Sequence, residues 1–264
     1  MNEDQKNEKA PEVLMTKSQF RWTMLAIIVG GLIWTAFGHR LPAGNQSQNK
    51  TSPPPAIIHH EYRTYPIMGT LAEVSFYGPK EKISVAADTV YDVFREVENI
   101  CNIFNPDSEI SRLNLTAAQT PFACSPLLWE VLTESRRAWK LSHGAFDITA
   151  RPLMVMWGFY IKAKKGLPDA AERKSILADI GLEKVVFDDA KRTVRFTHPG
   201  MSFDLGGIAK GFAVDRAAAA VRKQGIDCGV INLAGNMYCF PPPPPGKTCY
   251  SIGIRDPLDK EKSC

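Results

Sequence analysis

The sequence predicts a mixed α/β domain, of the α+β kind, reached after a long N-terminal extension. Three observations carry that prediction. Between Lys80 and Asn102, apolar residues at 83, 86, 87, 90, 93, 94, 97, 100 and 101 recur with helical spacing. The stretches 61–77, 184–196 and 230–233 are instead rich in alternating β-branched and aromatic side chains, as strands are. Helical and strand-like stretches are interleaved with no internal repeat, so a single domain of mixed layers is expected.

Composition agrees. The chain has 264 residues, of which 44% are hydrophobic and 23% charged, close to globular averages and enough for a sizeable core. A collagen, a disordered tail and a polytopic membrane protein are excluded. Thirty-two Lys and Arg against 28 Asp and Glu leave a scattered surplus of +4, too mild for a nucleic-acid partner. Acidic small molecules stay admissible. Six cysteines, at 101, 124, 228, 239, 249 and 264, show no C-x-x-C and no metal-finger spacing, and read as buried or incidental thiols.

Residues 1–21 form a polar leader carrying Lys6, Lys9, Lys17 and Arg21. Residues 22–38, WTMLAIIVGGLIWTAFG, carry no charge. At about 1.5 Å per residue they reach about 25 Å, against a hydrocarbon core of about 30 Å. Trp22 and Trp34 lie towards the ends, where amphipathic rings favour the interface. The expectation is a transmembrane signal anchor, or a signal peptide cleaved at the small-x-small step Ala36-Phe37-Gly38. Either reading sends the rest of the chain across the cytoplasmic membrane, to its extracytoplasmic (periplasmic) side. Residues 39–56, with LPAGNQSQNKTSPPPA at 41–56, are too polar and Pro-rich to order themselves and read as a flexible linker. The folded domain is expected over 57–264.

Within it, Glu61 to Tyr77 reads as two short strands interrupted at Gly69 by a bulge or close backbone approach. The helix over 80–102 follows, broken by Asn105-Pro106-Asp107-Ser108, and 108–114 reads as a short helical or extended piece. Ser125-Pro126 places a cap before a Pro at the first helical position, and the helix runs to His143 with Gly144 as its stop. Residues 146–160 are apolar and aromatic around Pro152 and Gly158. Another helix is expected over 169–180, a hairpin over 184–187 and 193–196, a turn at Gly206-Gly207, a helix over 208–224 and a buried strand over 230–233.

Asp204-Leu205-Gly206-Gly207-Ile208-Ala209-Lys210-Gly211 is the segment richest in chemistry. Two glycines before a helix let backbone N–H groups approach a phosphate, and Lys210 follows one turn in. Asp204 either accepts from a ligand or orients a metal site, or it caps a structural turn. The spacing is neither G-x-G-x-x-G nor the P-loop pattern. Asp147 and Thr149 alternate with apolar neighbours, so they either face one polar site or serve the turn after Gly144. Phe104, in a loop, either stacks on a planar ring or joins the core. His59, His60, His143 and His198 give no metal spacing, and no G-x-S-x-G is present.

Taken together, MGT at 68–70, PDSEISRLN at 106–114, GAFDITARPLMVMWGF at 144–159, DLGGIAKGFAVD at 204–215 and INLAGN at 231–236 resemble, in this order, the FAD:protein FMN transferases, the ApbE-type flavin transferases. Ile254-Arg255-Asp256-Pro257 also fits, and the likeness covers roughly 60–258. The resemblance implies a T-fold-like mixed α/β fold and an Mg²⁺-dependent transferase. Such an enzyme uses FAD as substrate, places its FMN phosphate on a Thr (or Ser) hydroxyl of an extracytoplasmic acceptor protein and releases AMP. It implies that Met68, Phe104, Ala145, Phe146 and Asp147 line the flavin dinucleotide site, that Asp204 and Lys210 hold it further, and that Gly207 offers a carbonyl to the metal. No catalytic side chain is assigned.

Two departures stand out. Ala234-Gly235 occupies the place of the family's Gly-Gly. The family's later H-x-I-D-P-like stretch, and the Asp and Thr that complete its metal site, are absent before Cys264. The domain is therefore expected to be C-terminally incomplete, and a catalytically incomplete FAD-binding domain is the alternative reading. Pro241 to Pro245 adds a stiff Pro-rich segment in a loop.

Overall fold

The structure is a computed structural model that describes residues 58–160 and 168–254. The leader, the apolar run at 22–38, the linker at 39–56 and the step from Arg255 to Pro257 lie outside these residues. Among the described residues no helix is long and apolar enough to cross a membrane.

Strands β1 (His59–Ile67) and β2 (Thr70–Gly78) pair antiparallel with Ile67 opposite Thr70. Only Met68 and Gly69 join them, with φ of 52° and 68°, a two-residue turn whose positive dihedrals match the strand twist. This corrects the expected bulge: pairing runs unbroken to the turn, and Gly69 supplies the left-handed conformation there. Met68 adopts it too, although a side chain makes that costly. Its N–H donates to Glu98 Oε1 at 2.8 Å, which holds the strained turn onto the next helix.

That helix, α1 (Lys80–Cys101), buries Ile83, Ala86, Ala87, Val90, Phe94, Val97 and Cys101, the periodic set read from the sequence. Helix α2 (Glu109–Thr116) resolves the 108–114 stretch as helical, with Ser108 Oγ accepting from Ser111 N. After β3 (Phe122–Ala123), Ser125 caps α3 (Pro126–Leu141) as expected, accepting from Leu128 N at 3.2 Å. A 3₁₀ turn (Ile148–Ala150) leads into α4 (Arg151–Met156). Helix α5 (Ala170–Ala178) and a second 3₁₀ turn (Leu182–Lys184) precede the hairpin of β4 (Val185–Asp188) and β5 (Thr193–Phe196). Helix α6 (Ala209–Lys223), β6 (Gly229–Leu233) and β7 (Asn236–Phe240) complete the described elements. The segment after β7 forms bends over the Pro-rich run.

Two sheets result, one ordered β1-β2-β6-β7 and one β3-β5-β4, both antiparallel at every pairing. On β2, Ala72, Val74 and Phe76 turn inward, and on β6 Gly229, Ile231 and Leu233 do so, the period-two pattern of a half-covered sheet. Helices α1 and α6 cover that face and pack on each other. The buried side of α6 is Ala209, Ala213, Val214, Ala217, Ala218 and Val221. These small side chains let the two helix backbones approach closely. Where β2 meets β6, a Cβ on Gly229 would stand 2.2 Å from Ser75 O, and Gly229 has φ +147°, so only glycine fits.

Candidate functional site

The register of the large sheet gathers two turns at one end. Ala72 pairs with Leu233, so the Met68-Gly69 tip and the Ala234-Gly235 tip lie at the same edge. The latter is again a two-residue turn, with φ of 52° and 88°. Asn236 reaches from it towards the first turn of α6, its Oδ1 being 3.6 Å from where a Cβ on Gly211 would lie. Beside the Met68-Gly69 turn opens a cavity of about 290 Å³, lined among others by Met68, Glu98, Asn102, Phe104, Tyr160, Asp204 and Lys210.

Asp204 is fixed from both sides. Its backbone N–H donates to Ile148 O at 2.8 Å, and the residue before it is clamped by Asn114. That side chain accepts from Phe203 N at 2.7 Å and donates to Phe203 O at 2.9 Å, imitating a strand neighbour. The Asp204 carboxylate accepts from Gly206 N at 2.7 Å and from the Tyr160 hydroxyl at 2.5 Å. Burial, then the Asp204 carboxylate, push the Tyr160 hydroxyl well above the ordinary tyrosine range, so it stays protonated and donates.

Asp204 therefore caps the turn and not the helix. Helix α6 begins at Ala209, and its N-cap residue Ile208 gives no side-chain cap. Ala209 N and Phe212 N find carbonyl partners, whereas the N–H groups of Lys210 and Gly211 have none among the described residues. Open N–H groups at a helix start, with the positive end of the dipole, favour an anion. The half-buried Lys210 lines the cavity at the same place.

The structure brings Met68, Phe104, Asp204 and Lys210 together around this cavity. Phe146 stands beside Gly207, its Cε2 being 3.1 Å from where a Gly207 Cβ would lie, so the missing side chain is what admits the ring. Ala145 is exposed on the same loop and does not line the cavity. Asp147 does not line it either. Its Oδ1 accepts from Thr149 N at 2.8 Å and Thr149 Oγ1 at 2.6 Å, and its Oδ2 from Leu182 N at 3.0 Å. Buried Thr149 in turn accepts from Gly181 N at 2.8 Å. Of the two roles read for Asp147, the described contacts are those of the turn, tying the 145–150 segment to the loop before β4.

Glu98 and Tyr160 are among the lining residues that escaped the sequence reading. Glu98 occupies a helical position that looks like any solvated carboxylate. Tyr160 sits in an aromatic stretch whose composition gives no polar pattern. Only the fold brings their side chains to Met68 and Asp204.

The described residues do not by themselves form a magnesium site. No group of three His, Cys, Asp or Glu is placed to hold a metal among them. Gly207, exposed beside Asp204, offers at most a backbone carbonyl.

An uncapped helix start, a lysine and an aromatic-walled cavity at one end of a helix-backed antiparallel sheet define a domain suited to a small molecule that is planar at one end and anionic at the other. Residues 68–263 match the ApbE family, and the chain belongs to it. It is 27% identical over 194 residues to an FAD:protein FMN transferase of Klebsiella pneumoniae (strain 342), covering 73% of this chain and 57% of that one. It is 31% identical over 165 residues to one of Chlamydia muridarum (strain MoPn / Nigg), covering 62% and 51%. The chain thus spans a little over half the length of these relatives. Among solved structures, the flavin transferase ApbE from Vibrio cholerae superposes with a TM-score of 0.69 at 27% identity, over 80% of this chain and 67% of that one.

Proposed function

We propose that this chain transfers FMN from FAD to a Thr (or Ser) hydroxyl of an acceptor protein, releasing AMP. The observation that carries the reading is the cavity at the start of α6, which Lys210 lines and beside which the N–H groups of Lys210 and Gly211 have no partner among the described residues. Membership of the ApbE family and relatives named FAD:protein FMN transferase supply the chemistry. The acceptor hydroxyl attacks the FMN phosphorus, loses its proton and forms the phosphoester, while the pyrophosphate bridge breaks and AMP leaves with the bridging oxygen. The chain's own part is to bind and orient. Lys210 and the helix start draw the pyrophosphate, Met68 and Phe104 contact a ring, and Phe146 and Gly207 shape the adjoining turn. Ala145 and Asp147 belong to the loop that carries Phe146.

Mg²⁺ dependence, extracytoplasmic placement and tethering to the cytoplasmic membrane through 22–38 are parts of the same proposal. Their support is the family resemblance and the uncharged run. Chelation with EDTA tests the first: flavin transfer should stop and return when Mg²⁺ is restored. Protease accessibility of the domain in spheroplasts tests the others, and full protection in intact spheroplasts contradicts them. The transfer itself is tested by the acceptor's mass after incubation with FAD.

The alternative, a domain that binds FAD without turning it over, is favoured by one observation, the incomplete metal-ligand set among the described residues. FAD affinity without a gain in acceptor mass distinguishes it.

A further inference from the structure

Tyr160 follows α4 at the edge of the cavity, where its hydroxyl lies 3.3 Å from Met154 Sδ and three further contacts fix it. The hydroxyl donates to Asp204 Oδ2 at 2.5 Å. The Phe104 ring lies 5.7 Å away between centroids, at an interplanar angle of 72°. The Arg151 guanidinium carbon stands 5.8 Å from the Tyr160 centroid. Phe104 is 72% exposed, so a large apolar ring faces water at the mouth of a cavity it lines.

Two rings near a right angle make a corner. A planar ring entering it lies along one and meets the edge of the other, the two arrangements aromatic pairs prefer. The same corner holds an acceptor, because each oxygen of the Asp204 carboxylate can take a second donor besides Gly206 N or the Tyr160 hydroxyl. A cavity of about 290 Å³ has room for a planar ring system.

We propose that Tyr160 is a specificity-determining residue of this site: its ring selects a planar heterocycle, and its hydroxyl aims Asp204 at that heterocycle's N–H donors. The inference rests on the FAD reading above. Both ends of FAD, isoalloxazine and adenine, have this chemistry, and the experiment separates them.

The full chain and its variants are titrated with FAD, riboflavin and adenosine, with circular dichroism to verify folding. Tyr160→Leu removes ring and hydroxyl and should weaken FAD about 5–20-fold. It should weaken by a similar factor whichever of riboflavin and adenosine enters the corner, and leave the other unchanged. Tyr160→Phe keeps the ring and should lose only about 2–5-fold. Tyr160→Trp, which restores an aromatic face, should recover most of the loss seen with Leu, a rescue that general loosening of the fold does not give. If the Leu variant does not fold, Tyr160→Met is read in its place. A folded Leu or Met variant that binds all three ligands as the unaltered chain does overturns the role of Tyr160 and leaves the FAD reading standing. No FAD binding by the unaltered chain overturns both.

Discussion

Replacing Lys210 by Ala tests whether the start of α6 is an anion site or an ordinary turn. Lys210 is half-buried, lines the cavity and makes no ion pair or hydrogen bond through its side chain among the described residues. Its removal therefore strips no described internal contact, and a change in ligand affinity reports on the ligand. A charge-assisted hydrogen bond contributes about 1.5–3 kcal/mol, so FAD affinity should fall about tenfold to a hundredfold. Partial burial limits screening, so most of the difference should persist at about 0.15 M salt. The assay is FAD titration by calorimetry or flavin fluorescence, with thermal unfolding alongside. Ser125→Ala is the control. It removes the cap of α3 and the hydroxyl donor to buried Glu109, neither of which lines the cavity, and should cost about 2–4 kcal/mol of stability while leaving FAD affinity alone. A folded Lys210→Ala protein that binds FAD within twofold of the original refutes the anion-site argument.

Other expectations follow from the same contacts. Asp147→Ala leaves Thr149 N, Thr149 Oγ1 and Leu182 N without their acceptor and should cost about 2–4 kcal/mol in denaturant unfolding, with a smaller effect on FAD affinity than Lys210→Ala. Ala234→Gly relieves a left-handed alanine at φ 52° and should raise stability by about 0.5–1 kcal/mol, read as a higher unfolding midpoint. Burial, reinforced by Glu109, pushes the Cys101 and Cys124 thiols up to about 12, while Cys249 is exposed. A thiol with a raised pKa forms its thiolate only as pH approaches that value. Alkylation of the native protein at pH 8 should therefore mark Cys249 well before Cys101 or Cys124, as peptide mapping will reveal.

Most helices were legible because their signals are local. The apolar period fixed α1, and Ser125-Pro126 fixed the start of α3. Strands β3 and β7 were not anticipated, since β3 is two residues long and β7 begins directly after a turn whose Ala234 gives no strong turn signal. The five motifs were legible as motifs, but their division of labour was not. In the 106–114 stretch, Ser108 caps α2, buried Glu109 accepts from Ser125 N and Oγ at 2.6 Å each, and Asn114 clamps Phe203. That segment positions Asp204 from a distance of ninety residues in sequence, roughly, through contacts no local pattern reveals. Met68, Phe104, Asp204 and Lys210 line one cavity, and Tyr160 and Glu98 depend on long-range packing for their place beside them.

The most direct test of the account is the intact mass of a Thr-bearing acceptor protein incubated with the full chain, FAD and Mg²⁺, with AMP measured in the same mixture. The account predicts a mass gain equal to one FMN phosphoester, one AMP released per acceptor modified, and loss of both when the acceptor Thr is replaced by Ala. FAD that binds and dissociates unchanged, with no acceptor mass gain and no AMP, contradicts it.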